Sequence, residues 1–106
     1  MISKKLFTVA FISTMFFLVV CSVVVASQVE DTLQKGNTYY REGAYDKAIE
    51  EYKKLADEGY VGTSLLYNLG NANYRIGKIG YAILYYEKAL LLSPSDEDVK
   101  HNLDFA

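Results

Sequence analysis

Hydrophobic and polar positions divide this chain into two parts with different patterns. Residues 6–26 are uncharged and largely apolar, whereas residues 27–106 place apolar residues three or four positions apart among charged ones. An uncharged run of that length suits a signal segment or a bilayer-spanning helix, and the second pattern is typical of amphipathic helices. We therefore predict a signal peptide or membrane anchor at 1–26 and a helical domain at 27–106.

Apolar stripes within the domain predict where its helices end. Stripes of helical period stop before Gly43, Gly59 and Gly77, and the last one stops before Pro94. Glycine suits the left-handed residue that follows many helices, and proline cannot continue a helix. The pattern predicts four helices, followed by a fifth that begins near residue 97.

Two short polar motifs predict where helices begin. Ser27 with Glu30, and Ser95 with Asp98, have the Ser-x-x-acid spacing of a capping box. The side chains of such a box bond the free backbone N–H groups of the first helical turn. We therefore expect the first helix of the domain to begin at Ser27 and the fifth at Ser95.

The domain repeats itself with a period of 34 residues. The following identical residues lie 34 positions apart: Gly36 and Gly70, Asn37 and Asn71, Arg41 and Arg75, Gly43 and Gly77, Ala48 and Ala82, Ile49 and Ile83, Tyr52 and Tyr86, and Lys54 and Lys88. This period indicates a helix–turn–helix unit stacked on a copy of itself. Small residues let helices approach closely, so we predict that Gly36 and Gly70 lie at the helix crossings, opposite Ala48 and Ala82.

The spacing of Leu69-Gly70, Gly77, Tyr86 and Pro94 resembles the tetratricopeptide repeat, although Asn73 stands where that family usually has tyrosine. The resemblance implies an all-α, right-handed solenoid. Repeat 1 would occupy about 29–62, repeat 2 about 63–96, and a partial third repeat or capping helix 97–106. The residues assigned to repeat packing are Gly36, Ala48, Tyr52, Leu69, Gly70, Ala82, Tyr86, Ala89 and Pro94.

The resemblance also implies a concave groove, lined by the first helix of each unit, that takes an extended peptide. The groove-facing positions are Asn37, Tyr40, Arg41, Tyr67, Asn71, Tyr74, Arg75 and His101. Asparagine can bond a peptide backbone, and arginine suits a carboxylate. We hypothesise a peptide site, with a carboxylate as one ligand group. The alternative is that the asparagines are general repeat residues, the arginines are solvated and Tyr74 belongs to the core.

A narrower resemblance connects the runs 67–72, 77–90 and 96–103 with BatE-type proteins, which are exported tetratricopeptide proteins of bacterial aerotolerance operons. It implies an adaptor in a membrane-associated stress complex, with partners such as von Willebrand-factor-A-domain membrane proteins. No catalytic residue comes with this resemblance.

Charge and residue content exclude several other classes of function. Residues 27–106 carry 9 Lys or Arg and 13 Asp or Glu, an acidic balance that argues against a nucleic-acid binder. The domain has no cysteine, and His101 is the only histidine, so we expect no metal site, no cofactor and no enzymatic activity. Acid pairs such as Glu50-Glu51 are expected to be solvated.

The first segment leaves three alternatives open. Lys4 and Lys5 precede the apolar run, and Ala26 offers the small residue that signal peptidase accepts. The cleaved signal is the first interpretation. The alternatives are that the segment remains as an uncleaved anchor, or that Cys21 marks a lipoprotein, although Val20 is large for that signal. Each alternative predicts export, to the periplasm or to its face of the inner membrane.

Self-association is the alternative function. The last helix carries an apolar stripe of Val99, Leu103 and Phe105 that nothing in the sequence covers. Exposed apolar patches often mark contacts. We therefore expect that a homodimer could form through the C-terminal helix.

Overall fold

The computed structural model describes residues 3–106, and every regular element in this range is an α-helix. The helices are α1 (Lys4–Arg41), α2 (Tyr45–Asp57), α3 (Thr63–Arg75), α4 (Ile79–Leu92) and α5 (Glu97–Phe105). They form two compact units, one extending to Glu30 and the other comprising Asp31–Ala106. The all-α fold predicted from the sequence is confirmed.

The unit that extends to Glu30 is an apolar stretch of α1. Its large apolar side chains are exposed, including Phe16 and Phe17. The hydroxyls of Thr8, Thr14 and Ser22 donate to carbonyl oxygens four residues earlier, at 2.8, 2.7 and 3.1 Å, which satisfies these polar groups inside the helix. By length and composition α1 could cross a membrane, and a signal sequence near the N-terminus meets the same criteria.

The helix start predicted at Ser27 is wrong. Residues 27–30 lie within α1, which runs without interruption from Lys4 to Arg41. The preceding apolar segment is itself helical, so the backbone N–H groups near Ser27 already bond within the helix. A capping box has no free donors to satisfy at such a position.

The helix ends predicted at three glycines are confirmed. Gly43, Gly59 and Gly77 have φ values of 79°, 89° and 79°, in the left-handed region that only glycine adopts without strain. After Gly77, for example, the N–H of Lys78 bonds the carbonyl of Asn73 at 2.9 Å. This bond closes the helix end and turns the chain into the next helix.

Each repeat packs a tyrosine ring of its second helix against a glycine of its first. A Cβ added to Gly36 would lie 2.6 Å from Cε1 of Tyr52, and one on Gly70 would overlap the ring of Tyr86. Both rings are almost fully buried. The prediction of a close crossing at the glycines therefore holds, but the neighbour that requires the small residue is tyrosine rather than alanine.

The two tyrosines also form the same hydrogen bond in each repeat. The hydroxyl of Tyr52 donates to Oδ1 of Asn37 at 2.7 Å, and that of Tyr86 donates to Oδ1 of Asn71 at 2.6 Å. Burial raises the pKa of both tyrosines to about 12. Both hydroxyls therefore keep their protons and remain donors at neutral pH.

The same asparagines connect one unit to the next. Asn68 of α3 donates through Nδ2 to Oδ1 of Asn37 at 3.3 Å, and Asn102 of α5 donates to Oδ1 of Asn71 at 2.8 Å. Asn68 and Asn102 are themselves 34 residues apart. These asparagines, with the two tyrosines, form a repeating network that we call the asparagine ladder.

α5 completes the core of the second repeat. Val99 is 1% exposed and packs with Leu66, Ala82, Tyr86 and Ala89. The expectation that Val99 belongs to an uncovered stripe is therefore wrong, because its side chain closes the end of the α3–α4 pair.

The cap of α5 also differs from the prediction. Oδ1 of Asp96, rather than Ser95, accepts the N–H of Val99 at 3.1 Å. Aspartate caps a helix as well as serine does and adds a negative charge at the positive helix end. The structure therefore begins the helix one residue later than the capping-box spacing suggested.

The expected solvation of Glu51 is a further correction. Its side chain is buried and pairs with Lys54 at 2.8 Å and Lys35 at 3.5 Å. The hydrogen bond from Lys54 holds the pKa of Glu51 below its usual value, with Lys35 adding to the effect and burial opposing it. Glu51 thus links α2 to α1, whereas Glu50 is exposed.

Candidate peptide-binding groove

A cavity of about 400 Å³ opens on the unit formed by residues 31–106. Its walls come from the last turn of α1, from α3 and from α5, which are the first helices of successive units, with one residue from α4. The lining residues are Tyr40, Tyr67, Asn71, Tyr74, Arg75, Tyr86, His101, Asn102 and Phe105. The cavity is therefore where the repeat phase placed a groove.

Most of the predicted groove residues meet in this cavity. They are Tyr40, Tyr67, Asn71, Tyr74, Arg75 and His101. Asn37 and Arg41 line a separate depression with Gln34 and Thr38. Arg41 also donates to Oγ1 of Thr38 on its own helix at 3.2 Å. The structure therefore brings the groove positions of the second and third units together but leaves two of the first unit apart.

The residues predicted to pack the repeats are in the interior, with one exception. Ala48, Tyr52, Leu69, Ala82, Tyr86 and Ala89 are at most 1% exposed, and Gly36 and Gly70 are buried. Pro94 is exposed, two residues beyond the end of α4. Pro94 is therefore not part of the buried core of the repeats.

Three lining residues were not predicted for the groove: Tyr86, Asn102 and Phe105. Tyr86 was assigned to packing alone, yet it contributes to the cavity wall. Phe105 follows the predicted groove residue Asn71 by 34 residues, so the repeat period contained a signal for Phe105. Asn102 follows Asn68, which does not line the cavity, so the period gave no such signal for Asn102. Phe105 is 70% exposed, and its ring contacts that of His101 at a tilt of 58°, with 5.0 Å between the ring centroids.

Arg75 is the one Lys, Arg, Asp or Glu residue in the lining of the cavity. Its guanidinium lies 4.8 Å from the ring centroid of Tyr45, which contacts the ring of Tyr40 edge-on at 5.2 Å. Within residues 3–106, no carboxylate forms an ion pair with Arg75. The aromatic contact orients the guanidinium but leaves its charge available to a ligand.

The hydroxyl of Tyr40 lies close to this charge. Burial raises the pKa of Tyr40, and the neighbouring Arg75 opposes that rise. The net direction is upward, so the phenol stays protonated at neutral pH and can donate a hydrogen bond. Tyr40 therefore adds a neutral polar group beside Arg75 and does not neutralise it.

Three residues of the asparagine ladder, Asn71, Tyr86 and Asn102, line the cavity, and some of their polar atoms are already bonded within the ladder. Oδ1 of Asn71 already accepts from Tyr86 and Asn102, and the hydroxyl of Tyr67 accepts from Asn102 at 3.0 Å. The Nδ2 group of Asn71 has no hydrogen-bond acceptor among the described residues. Together with Arg75, the site offers hydrogen-bond donors, which suit carbonyl and carboxylate oxygens.

The lining is poor in groups that perform acid–base or metal chemistry. Across residues 3–106, no three His, Cys, Asp or Glu side chains come together as a metal site. None of the lining residues is a carboxylate, and the His101 ring packs on Phe105. The chemistry that the lining offers is aromatic contact and hydrogen-bond donation.

Comparison with known proteins identifies the repeats. Two family models, each described as a tetratricopeptide repeat, match residues 64–96 and 33–57, which together make up more than half of the chain. A TPR repeat-containing protein of Methanocaldococcus jannaschii is 36% identical over 67 residues, which are 63% of this chain and 12% of that protein. The resemblance to BatE-type proteins stays a prediction. By its repeats, the chain belongs to the tetratricopeptide-repeat family.

Proposed function

We propose that the unit formed by residues 31–106 binds an extended segment of a partner protein in the cavity, and that Arg75 receives a carboxylate of that segment. The repeats indicate a protein–protein interaction module in general terms. The observation that supports a carboxylate ligand is that Arg75 lines an aromatic cavity and has no ion-pair partner among the described residues. A guanidinium that is oriented by aromatic contact and has no carboxylate partner among the described residues favours a planar anion.

The size and the lining of the cavity fit part of a peptide chain. A volume of about 400 Å³ falls within the range of small-ligand pockets and accommodates two or three residues rather than a folded domain. Tyrosine and arginine are common in binding hot spots because they give large contact areas with polar ends. The ligand is therefore a short acidic segment, or a chain end, flanked by apolar residues.

We also propose that the chain acts as an exported scaffold, at the periplasmic face of the inner membrane or in the periplasm. The apolar part of α1 supports this location, since it has the length and composition of a signal or anchor helix. The resemblance to BatE-type proteins adds a role in an aerotolerance complex with von Willebrand-factor-A-domain partners. Alkaline phosphatase fused after Ala106 would report export, and an inactive fusion would contradict it.

Peptide selection tests the proposed ligand. The full chain in detergent micelles is offered a library of ten-residue peptides, and the selected peptides are titrated with free and with amidated C-termini. We expect acidic side chains or free carboxylates among the binders. Arg75→Gln should weaken their binding at least about tenfold, as expected for loss of a charged hydrogen bond.

Arg41→Gln provides the matched control, since Arg41 occupies the same position one repeat earlier but lies outside the cavity. This variant should bind the selected peptides as the unmodified chain does. Equal loss in both variants, or no loss in Arg75→Gln, would show that Arg75 does not receive the carboxylate.

A further inference from the structure

The outer face of α4 carries an apolar stripe that the fold does not use. Tyr81, Leu84 and Leu91 are 57%, 41% and 81% exposed. They occupy positions i, i+3 and i+10 and share one face of the helix, and Lys88 at i+7 lies along one edge of that face. None of them lines the cavity.

The first repeat shows that the fold does not require this stripe. The residues 34 positions earlier, on α2, are Lys47, Glu50, Lys54 and Asp57, all of them charged. Both helices occupy the same place in their repeat and bury the equivalent tyrosine. The packing that the two helices share therefore does not account for the apolar residues on α4.

Two charges beside the stripe are relevant to what could cover it. Glu87 and Lys88 are adjacent, both are exposed, and neither has an ion-pair partner among the described residues. The ammonium of Lys88 lies 5.7 Å from the ring centroid of Tyr85. A helix that offers a glutamate and a lysine on the two sides of an apolar stripe is complementary to a second copy of itself.

We propose that two copies of this chain pair through α4, with the two helices parallel. A two-fold axis along the helices sets Leu84 against Leu84 of the second copy and Leu91 against its Leu91. The same axis sets Glu87 beside Lys88 of the second copy, twice. An antiparallel pair centred between the two leucines would bring like charges together instead, so the charges select the parallel arrangement.

The corresponding face of α2 cannot form this contact. Lys53 and Lys54 stand where α4 has Glu87 and Lys88, so a parallel pair of α2 helices would place lysines side by side. α4 contributes only 14 residues, about two heptads. An interface of this size is below the standard of roughly 1,600 Å², so we expect a weak dimer, with a Kd on the order of micromolar.

Pairing through α4 would leave both grooves open, because the stripe and the cavity share no residue. A segment of a partner with two acidic motifs, or two partner chains side by side, would then bind both grooves at once. Linking two sites in this way raises the apparent affinity without a new contact. The dimer thus goes beyond binding at a single groove, and it does not depend on the ligand proposed above.

Disulfide trapping tests the dimer directly. In full chains carrying Cys21→Ser, in detergent micelles, Leu84→Cys and Leu91→Cys are each oxidised mildly. Parallel pairing places each new thiol opposite its own copy, so both variants should give a disulfide-linked dimer on a non-reducing gel. Glu50→Cys, the same position in the first repeat, should stay monomeric under the same conditions.

Exchange of the charges separates this interface from other modes of association. In the Leu84→Cys chain, Glu87→Lys or Lys88→Glu alone turns both pairs between residue 87 of one copy and residue 88 of the other into like charges. Either exchange should lower the fraction of disulfide-linked dimer, by up to about tenfold. The two exchanges together should restore it. A merely hydrophobic contact with lipid or with another protein would not show this reversal.

Two results would overturn the proposal. One is trapping at Glu50→Cys as readily as at Leu84→Cys, which would point to association through α1 or to random collision. The other is absence of trapping at both Leu84→Cys and Leu91→Cys. If sedimentation still reports a dimer in that case, the contact lies elsewhere, such as on α5.

Discussion

At the scale of single residues, the asparagine ladder gives a structural reason for asparagine at the equivalent positions 37 and 71. The repeat period predicted that Asn37 and Asn71 face the groove, but only Asn71 lines the cavity, and Asn37 lines a separate depression. The sequence could not show that their Oδ1 atoms are already bonded to Tyr52 and Tyr86, because a period gives position along a helix and not a partner across an interface. A double replacement of Asn71 and Arg75 would therefore mix loss of stability with loss of binding.

Gly70 and Gly80 give a contrasting pair of stability predictions. Gly70→Ala should lower the free energy of unfolding by about 1–3 kcal/mol, since its methyl group would meet the buried Tyr86 ring. Gly80→Ala lies in a helix with open space around the new Cβ and should raise the free energy of unfolding by up to about 1 kcal/mol. Urea unfolding followed by circular dichroism measures both, and equal effects would contradict the packing described.

Glu51 predicts a specific dependence of stability on pH. Its folded-state pKa is lowered, first by the hydrogen bond from Lys54, so the ionised form stabilises the fold above the ordinary glutamate pKa. That contribution is lost as the pH falls through the lower, folded-state value. Glu51→Gln should therefore have a lower Tm than the unmodified chain at pH 7, and the difference should shrink below about pH 4.

Glu50→Gln is the control for this experiment, because Glu50 is the exposed neighbour of Glu51. Its Tm should follow that of the unmodified chain across the whole pH range. A Tm difference for Glu51→Gln that stays constant from pH 7 to pH 3 would mean that the ion pairs do not contribute as described.

At the scale of helices, ends were easier to predict than starts. The left-handed glycines mark three helix ends, because the backbone conformation itself requires glycine. A start depends on what precedes it: Ser27 lies inside α1 because the apolar segment before it is also helical. The identity of the cap of α5 likewise depended on which of two adjacent polar residues reaches the N–H of Val99.

α5 should act as a stabilising cap on the second repeat. Val99 is buried in the core of the α3–α4 pair, so Val99→Ala should lower the free energy of unfolding by about 2 kcal/mol. Phe105→Ala, on the same helix but 70% exposed, should change it by less than about 0.5 kcal/mol. Chemical denaturation distinguishes the two, and a cost at Phe105 equal to that at Val99 would contradict this packing.

At the scale of the whole molecule, residues that are identical in the two repeats indicate the fold, and residues that differ between them indicate the surface chemistry. The repeated residues Gly36 and Gly70 belong to the fold, and the period of 34 was enough to predict it. The departures carry the surface chemistry: Leu84 stands where the first repeat has Glu50, and Phe105 where the second has Asn71. The sequence showed these differences, but the exposure and the neighbours of each residue required the structure.

A double-mutant cycle tests the claim that Arg75 receives a carboxylate in the cavity. One selected peptide, with and without its carboxylate, is titrated by calorimetry against the unmodified chain and Arg75→Gln. We predict that removing the carboxylate weakens binding at least about tenfold in the unmodified chain and hardly at all in Arg75→Gln. Equal losses in both chains would contradict the claim, since they would show that the two groups do not interact.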